Sequence, residues 1–398
     1  MHNKDKLITK ITLLSISLMF ISGAAIGAAL PQIRDYYGLT QTQSELMMTS
    51  MSIVKIVFIF LSTFVVRKIG MKKTVLLGLI LIGLSGIMPL ITTGFIPVLG
   101  SRLLLGVGIG LYNALAIRYI NLLYEGHTRA TLLGFRGSVE GFGQGFLTFL
   151  AGLFINISWN MAFLVYLIAF PLALAFYLIV PDVKEETELP LKGKRKRAPM
   201  PPLVYLLTLL GGLIVTNGAG LAIRFPAFVE VIQGEGYNSS YLLALMPAVG
   251  IMAGLMFGSL NKRIGNLVFY LGLSTLVLAN FFVYFSEGRL WLLALGVFIS
   301  SISGAWCFPY IFSTIGKTTQ GDVQKRATSL ALVGINLGAF AAPLVKQLLH
   351  SVTGSDQLRA PFLTLGFLVL GVIVIGLTRE INSRRHLKLK QNSLSQSH

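Results

Sequence analysis

Charged side chains are scarce in this sequence, because only 12% of its 398 residues are Asp, Glu, Lys or Arg. An ordinary soluble domain carries about 25%. Acidic residues are the scarcer sign, 15 against 33 basic residues, which gives a formal net charge of +18. Most basic residues lie in short connectors between apolar blocks, as cytoplasmic loops of membrane proteins do. The composition therefore excludes a chain of soluble domains, and the charge does not indicate nucleic-acid binding.

Chemically reactive groups are also few. The single cysteine, Cys307, lies inside an apolar run and excludes an internal disulfide framework. The five histidines have no partners at metal-ligand spacing. No glycine-rich loop ends in the lysine of a nucleotide site, so no metal, cofactor or direct ATP drive is expected. A membrane-embedded enzyme or a sensor remains only as an alternative from another class, since neither an acid–base cluster nor a sizeable soluble segment is present.

Long apolar runs dominate what is present. Hydrophobic residues make up 54% of the chain, and the mean hydropathy is +0.75. Many runs approach the roughly 20 residues that cross about 30 Å of hydrocarbon. The predicted fold class is an all-α membrane protein with twelve transmembrane helices. These spans are predicted at 8–30, 45–66, 74–93, 97–119, 130–155, 159–180, 203–229, 239–260, 266–286, 290–314, 327–349 and 360–378.

The distribution of basic residues predicts the orientation and the division of the chain. Alternate connectors and both chain ends carry most of the Lys and Arg, so both termini are expected in the cytoplasm. The longest polar stretch between spans predicts a cytoplasmic linker at 183–202, between six-helix bundles at 1–182 and 203–380. Residues 381–398 are predicted to form a cytoplasmic tail. The basic cluster of the linker fits anchoring to anionic lipid, with regulation as the alternative.

An internal repeat supports the same division. The motif at 67–70, Arg-Lys-Ile-Gly, recurs at 262–265 as Lys-Arg-Ile-Gly, and Arg-Ala-Thr at 129–131 recurs at 326–328. Both offsets are close to 195 residues, and further matches fall in the same order. The pattern indicates duplication of a six-helix unit, as many transporters have.

The connector after the second span resembles a signature of the major facilitator superfamily. Lys68, Gly70, Lys72 and Lys73 fit that signature. Arg67 stands where the family usually has an acidic residue that helps to hold one face closed. The resemblance implies a gating loop formed by these five residues and two bundles that expose a central site to each side in turn. It covers about residues 8–380.

The fourth span carries a second resemblance to the family. Arg102, Gly106, Gly108 and Gly110 are similar to a motif whose arginine is often tied to proton coupling. The fifth span lacks the Gly-Pro signature of drug–proton antiporters and has Gly-Phe-Gly-Gln-Gly at 141–145 instead. The resemblance therefore indicates the superfamily, and Arg102 is a candidate for proton coupling.

Polar residues in the fifth span form one stripe. Arg136, Glu140, Gln144 and Thr148 recur every four residues, beside a stripe of glycines expected to pack on a neighbour. Burial favours the neutral acid at Glu140, whereas Arg136 favours the carboxylate. Such opposed effects are what a proton switch needs, so Glu140 and Arg136 are predicted to couple transport to protons. A static ion pair is the alternative.

Other charges inside spans indicate a binding cavity, because such charges usually face a cavity or a partner. Lys55, Arg136 and Arg224 predict a cationic cavity for an anionic group, and snorkelling or pairing with backbone carbonyls is the alternative. Lys346 is expected to snorkel towards the outer surface. The remaining substrate candidates, which equally fit bonds between helices, are Asn113, Gln144, Asn217, Tyr310 and Asn336. The glycine row at 250, 254 and 258 is expected to serve helix packing.

Together these features predict a secondary transporter of small organic solutes in the cell membrane, working as a monomer among membrane lipids and coupled to protons. The common behaviour of compact transporters of this type favours export. The excess of intramembrane cations favours proton-coupled uptake of an organic anion as the alternative.

Overall fold

The computed structural model describes residues 6–183, 199–354 and 357–395. Eleven helices in these ranges are long and apolar enough to cross a membrane, and a bent pair near the N-terminus makes up to twelve. We number the spans in chain order. They are α1 (Leu7–Met19 and Ser22–Tyr37), α2 (Gln41–Ile69), α3 (Met71–Ile91), α4 (Phe95–Leu123), α5 (Gly126–Ile155), α6 (Trp159–Ile179), α7 (Pro202–Gln233), α8 (Ser240–Ile264), α9 (Leu267–Tyr284), α10 (Leu290–Thr318), α11 (Gly321–Thr353) and α12 (Ala360–Ser395).

The helices form two bundles of six, α1–α6 and α7–α12. Within the bundles, α3 packs along α4 and α9 along α10. Between the bundles, α2 contacts α11, α5 contacts α8, and α1 contacts α7. We call the side that carries the start of α1 and the end of α12 the termini face. The opposite face carries the connectors at 38–40, 92–94, 156–158, 234–239 and 285–289.

Local sequence explains the sharp ends of the helices. Thr40 begins α2 with a capping box, in which its side chain accepts from the Gln43 backbone while the Gln43 side chain accepts from the Thr40 backbone. Gly38 ends α1 in the left-handed conformation, with φ of 61°. Gly70 joins α2 to α3 at φ of 85°, where a side chain would be strained.

The first span is the irregular element. It bends by 40° and includes three short 3₁₀ segments, Ile16–Met19, Ser22–Ala24 and Gly27–Ala29. A backbone carbonyl released from α-helical bonding must find another donor in the apolar interior. Side chains of α4 and α6 donate these hydrogen bonds.

The predicted fold class is confirmed: the described helices match the predicted spans and their two-bundle arrangement. Most helix ends differ from the predicted ends by a few residues, and two boundaries differ by more. The first span continues to Tyr37, well beyond the predicted end at residue 30, and the last helix continues to Ser395, through most of the predicted tail at 381–398. Residues 184–198, most of the predicted linker, lie outside the described part of the chain.

Candidate functional site: a cavity between the bundles

A cavity of about 700 Å³ lies between the two bundles. Its walls come from α5, α7, α8 and α10, with Ile21 at the bend of α1. Small residues and apolar side chains form most of the lining, and the polar groups are Gln144, Ser138, Ser300 and Ser301. A mostly apolar pocket with a few polar groups is typical of a small-molecule site.

The spacing of α5 and α8 shows which face the cavity approaches. At the end of α5 near the opposite face, a side chain at Gly152 would collide with Ser240. A Cβ on Gly145 would lie 2.7 Å from the carbonyl oxygen of Ala244. Towards the termini face the helices separate, and a Cβ on Gly137 would meet nothing within 4 Å. The bundles are therefore closed against each other at the opposite face and apart at the termini face.

The glycine row of α8 was predicted to serve packing, and this prediction was wrong for two of its members. A Cβ on Gly254 or Gly258 would meet nothing within 4 Å, and Gly250 and Gly254 line the cavity. Gly250 packs near Ser301 of α10, because its Cβ position lies 3.7 Å from that residue, whereas Gly254 and Gly258 leave open space beside α8.

A cluster of charged side chains surrounds Phe20. This residue precedes Ile21, which lines the cavity. The ammonium of Lys55 lies 5.1 Å from the centre of the Phe20 ring, and the guanidinium of Arg136 lies 4.9 Å from it. Arg136 also forms a salt bridge with Glu140 at 2.6 Å, and the two side chains are 13% and 14% exposed. The structure thus brings Lys55, Arg136 and Glu140 together, with two cations and one carboxylate.

Three side chains of α4 and α6 hold the irregular backbone of α1. Arg102 is fully buried and donates to the carbonyl oxygen of Gly23 at 2.7 Å and to the hydroxyl of Tyr166 at 2.8 Å. Tyr166 donates to Ser22 O at 3.2 Å, and Tyr112 donates to Ile16 O at 3.2 Å. Because these carbonyls lie on both sides of Phe20, Arg102 and the two tyrosines fix the ring around which the charged cluster forms.

Arg224 lies in a different place, at the contact between the bundles near the opposite face. Its Nε donates to Oε1 of Glu45 at 2.7 Å, and the side chains of Arg224 and Glu45 are 2% and 0% exposed. Gln41 donates to the same carboxylate oxygen at 2.8 Å. The pair joins α7 to α2 and is separate from the cluster around Phe20.

Glu45 was not among the predicted site residues, because it stands at the edge of the predicted second span. Gln41, Glu45 and Thr49 recur every four residues, which places polar groups on one helix face. This periodicity was the available signal for Glu45.

Two further contacts close the opposite face. Arg34, at the end of α1, donates to both carboxylate oxygens of Glu230 on α7 at 3.1 Å. Asn238, in the connector before α8, donates to the carbonyl oxygen of Gly152 at 2.7 Å and to Asn156 at 3.0 Å. Each contact crosses from one bundle to the other, so this face is held by polar bonds as well as by helix packing.

Lys346 was expected to snorkel, and this prediction was wrong. Its side chain is fully buried, and its ammonium lies 4.9 Å from the centre of the Phe362 ring. A side chain at Gly220 would collide with that ammonium. The missing Cβ at Gly220 gives the lysine room inside the protein, which sequence patterns on α11 alone do not reveal.

The other candidate residues are dispersed. Gln144 lines the cavity. Asn217 is fully buried in α7, and Asn113 is half-buried on α4 outside the cavity lining. Tyr310 stacks on Phe269 and lines a separate pocket of about 380 Å³ on the termini side. Asn336 lies in a small cleft between α2 and α11 and donates to Leu332 O at 2.8 Å.

The predicted gating loop lies at the termini face. Arg67 and Lys68 are exposed at the end of α2, and Lys73 is exposed at the start of α3. Lys72 donates to the carbonyl oxygen of Val180 at 2.6 Å and lies 5.4 Å from the Tyr177 ring centre. Within the described chain, Lys72 therefore ties the start of α3 to the end of α6.

Several known proteins resemble this chain in sequence or in structure. The chain is 25% identical over 355 residues to a hexuronate transporter of Bacillus subtilis (strain 168), covering 81% of this chain and 84% of that protein. A solved nucleoside transporter aligns at 13% identity and a TM-score of 0.73, over 93% of this chain and 98% of the other. A human organic anion transporter aligns at 17% identity and a TM-score of 0.66, over 92% of this chain and 97% of the other.

The solved structures share the fold of this chain at identities that carry no further inference. The family model described as Major Facilitator Superfamily matches residues 12–288. This match spans well over half of the chain, in agreement with the two bundles and the cavity between them. The chain belongs to the major facilitator superfamily of transporters.

Proposed function

We propose that the protein carries a small organic anion across the membrane together with protons, by alternating access. Its moving bodies are the bundles at 1–182 and 203–380, joined by the linker at 183–202. The observation that carries the proposal is the convergence of Lys55 and Arg136 on Phe20 with a single carboxylate, beside a cavity of about 700 Å³. The hexuronate transporter among the relatives supports a carboxylate-bearing substrate.

Lys55 and Arg136 bind the carboxylate of the substrate in this proposal. The cluster holds two cations and one acid, so it has one positive charge in excess. A carboxylate from the cavity balances this charge and gives Arg136 the planar acceptor that a guanidinium favours. Gln144 faces the cavity and supplies a hydrogen bond to the polar body of the substrate.

Glu140 carries the proton. While it is ionised, its carboxylate holds Arg136 at 2.6 Å. Protonation releases Arg136 for the substrate, so the proton and the anion each strengthen the binding of the other. Arg102 acts in this scheme by holding α1, and thereby Phe20, in position. A static Arg136–Glu140 pair is the competing interpretation.

Uptake follows from this scheme more directly than export. A proton and an anion that bind together move in the same direction, so an inward proton gradient drives the anion inward. The basic connectors support a cytoplasmic location for both termini. With that orientation, the cavity faces the cytoplasm. The protein acts as a monomer in the cell membrane in this proposal. The preference for export came from the general behaviour of compact transporters, and no feature of the cavity favours it.

Reconstituted vesicles test the proposal with radiolabelled D-glucuronate as the probe. We expect accumulation when the outside is acidic and little accumulation when the gradient is reversed. In Glu140→Gln, gradient-driven accumulation is lost and exchange between labelled and unlabelled probe continues. Normal gradient-driven accumulation in Glu140→Gln contradicts the proton role, since the static pair alone predicts that result. Accumulation only under the reversed gradient supports export and overturns uptake.

Orientation is tested separately. In a Cys307→Ser background, a cysteine at Lys68 or Lys262 reacts with a membrane-impermeant maleimide only from the cytoplasmic side if the termini are cytoplasmic. Reaction in intact cells overturns this orientation. Both positions are exposed at the termini face, so each cysteine should react with the maleimide at least in broken cells.

A further inference from the structure

The buried charges between α2, α7 and α11 form a second cluster with the same balance as the first. Arg224 and Lys346 supply two cations, and Glu45 supplies one carboxylate. All three side chains are almost completely buried. One positive charge is therefore uncompensated in the interior, which is costly unless another group balances it.

The polar atoms of this cluster are only partly satisfied. Among the described residues, the ammonium of Lys346 and Oε2 of Glu45 have no hydrogen-bond partner. Both side-chain atoms of Asn217 also lack one. Lys346 and Glu45 nevertheless interact electrostatically. The donors among these atoms, the ammonium of Lys346 and the amide nitrogen of Asn217, fit an anionic group with its own oxygen acceptors, since buried donors without acceptors are rare.

One face of α7 gathers these groups. Asn217, Gly220 and Arg224 follow one another at intervals of three and four residues, so they share a side of the helix. Lys346 of α11 lies against Gly220 between the other two. The unpaired amide, the ammonium and the guanidinium thus belong to the second bundle, whereas Glu45 enters from α2 of the first bundle.

We propose that Arg224, Lys346 and Asn217 form a second carboxylate subsite in the second bundle, which Glu45 occupies while the opposite face is closed. The carboxylate of Glu45 stands in for the carboxylate of a substrate. When the bundles part at this face, Glu45 leaves with α2, and an incoming anion takes its place beside the two cations. The inference rests on the proposed anion transport for its physiological meaning, but the subsite itself is a property of these residues.

This arrangement links access to occupancy. The opposite face closes only when Glu45 pairs with Arg224 and Lys346. An anion bound to these two cations therefore prevents closure until the anion moves on towards the cluster at Phe20. An empty transporter facing that side recloses by the return of Glu45. The external anion and the closed gate therefore exclude each other at the same two side chains.

Acetate tests the subsite without assuming the identity of the transported solute. The full-length protein is purified as wild type, Glu45→Gln and Glu45→Gln/Lys346→Met, and its melting temperature is measured in sodium acetate and in sodium chloride of equal ionic strength. Removing the internal carboxylate leaves the cations for acetate, and a ligand that binds the folded state raises its melting temperature. We expect acetate to stabilise Glu45→Gln more than wild type, and Lys346→Met to remove the difference.

Glu230→Gln is the matched control. It makes the same chemical change at the same face, but in the half-buried pair with Arg34. It should show no added stabilisation by acetate. Equal acetate effects in wild type, Glu45→Gln and Glu230→Gln overturn the subsite.

A second variant applies if Glu45→Gln does not fold. In Gly220→Ala the new methyl group collides with the flexible end of Lys346 and displaces the ammonium. D-glucuronate added at the opposite face should then show a half-saturation concentration raised about tenfold, the effect of losing one charge-assisted contact. An unchanged value overturns the inference while leaving the proposed transport intact. Failure of the wild-type protein to move any organic anion, with the acetate effects retained, instead removes the proposed function alone.

Discussion

Replacing Gly145 by alanine should shift the protein away from the conformation described here. The added Cβ would lie 2.7 Å from the carbonyl oxygen of Ala244, a backbone atom that cannot move without α8. Overpacking of this kind typically costs about 1–3 kcal/mol. The cost falls on the state in which α5 and α8 are in contact at the opposite face, because opening that face separates them. At about 1.4 kcal/mol per factor of ten, the open population rises about 5- to 150-fold.

Gly137→Ala is the internal control for this prediction. It lies two turns earlier on α5, and its Cβ would meet nothing within 4 Å. Both substitutions replace glycine by alanine in the interior of one helix, so their effect on intrinsic helix stability is the same. Any difference between the variants therefore reports the contact with α8.

Spin labels at Arg67 and Arg263 measure the separation of the bundles at the termini face in a Cys307→Ser background. Both positions are exposed. Electron–electron double resonance should show shorter distances in Gly145→Ala than in the unsubstituted protein, and no change in Gly137→Ala. Identical distance distributions in all three proteins would refute the assignment of α5 and α8 as the contact that closes the opposite face.

Three other substitutions probe the site and its support. Arg102→Met should lower the free energy of unfolding by about 1–3 kcal/mol or more, because it leaves buried acceptors such as Gly23 O without their donor. Thermal unfolding measures this loss. A smaller loss in Arg102→Met than in Arg118→Met, on the exposed side of α4, would contradict it. Lys55→Gln should raise the half-saturation concentration for D-glucuronate about tenfold. Competition by D-glucose should stay unchanged, since only D-glucuronate has a carboxylate to pair with the Lys55 ammonium. Parallel changes for both sugars would argue against carboxylate binding at Lys55. Gly70→Ala should destabilise the protein by about 1 kcal/mol, because φ of 85° strains any residue with a Cβ, and an unchanged melting temperature would show that the connector relaxes.

The sequence was sufficient to predict the arrangement of helices, because the membrane imposes a length and a hydrophobicity on every span. It also identified Arg136 and Glu140 as neighbours, since their spacing of four residues puts them on one helix face. The approach of Lys55 to the same point depends on how α1 bends between α2 and α5. No proline marks that bend, so its position was not available from the sequence.

The charges at the opposite face were harder to predict for a different reason. Their partners lie on other helices, and spacing within one helix carries no information about them. Glu45 and Arg224 are 179 positions apart in the chain. Lys346 was predicted to reach towards the surface, but Gly220 of α7 leaves room for its side chain inside the protein. Contacts between the two bundles require the packed structure.

The two charged clusters follow one electrostatic rule. Around Phe20, Glu140 balances one of two cations; at the opposite face, Glu45 balances one of two cations. In the mechanism proposed above, the acid of each cluster leaves a single positive charge for a substrate carboxylate, and the acid is removed in a different way. Under that proposal, protonation neutralises Glu140 in place, whereas separation of the bundles withdraws Glu45. A proton would then control binding at the first cluster and the opening of the gate would control binding at the second, so that an anion passing from one to the other would meet a compensating charge at both ends of its path.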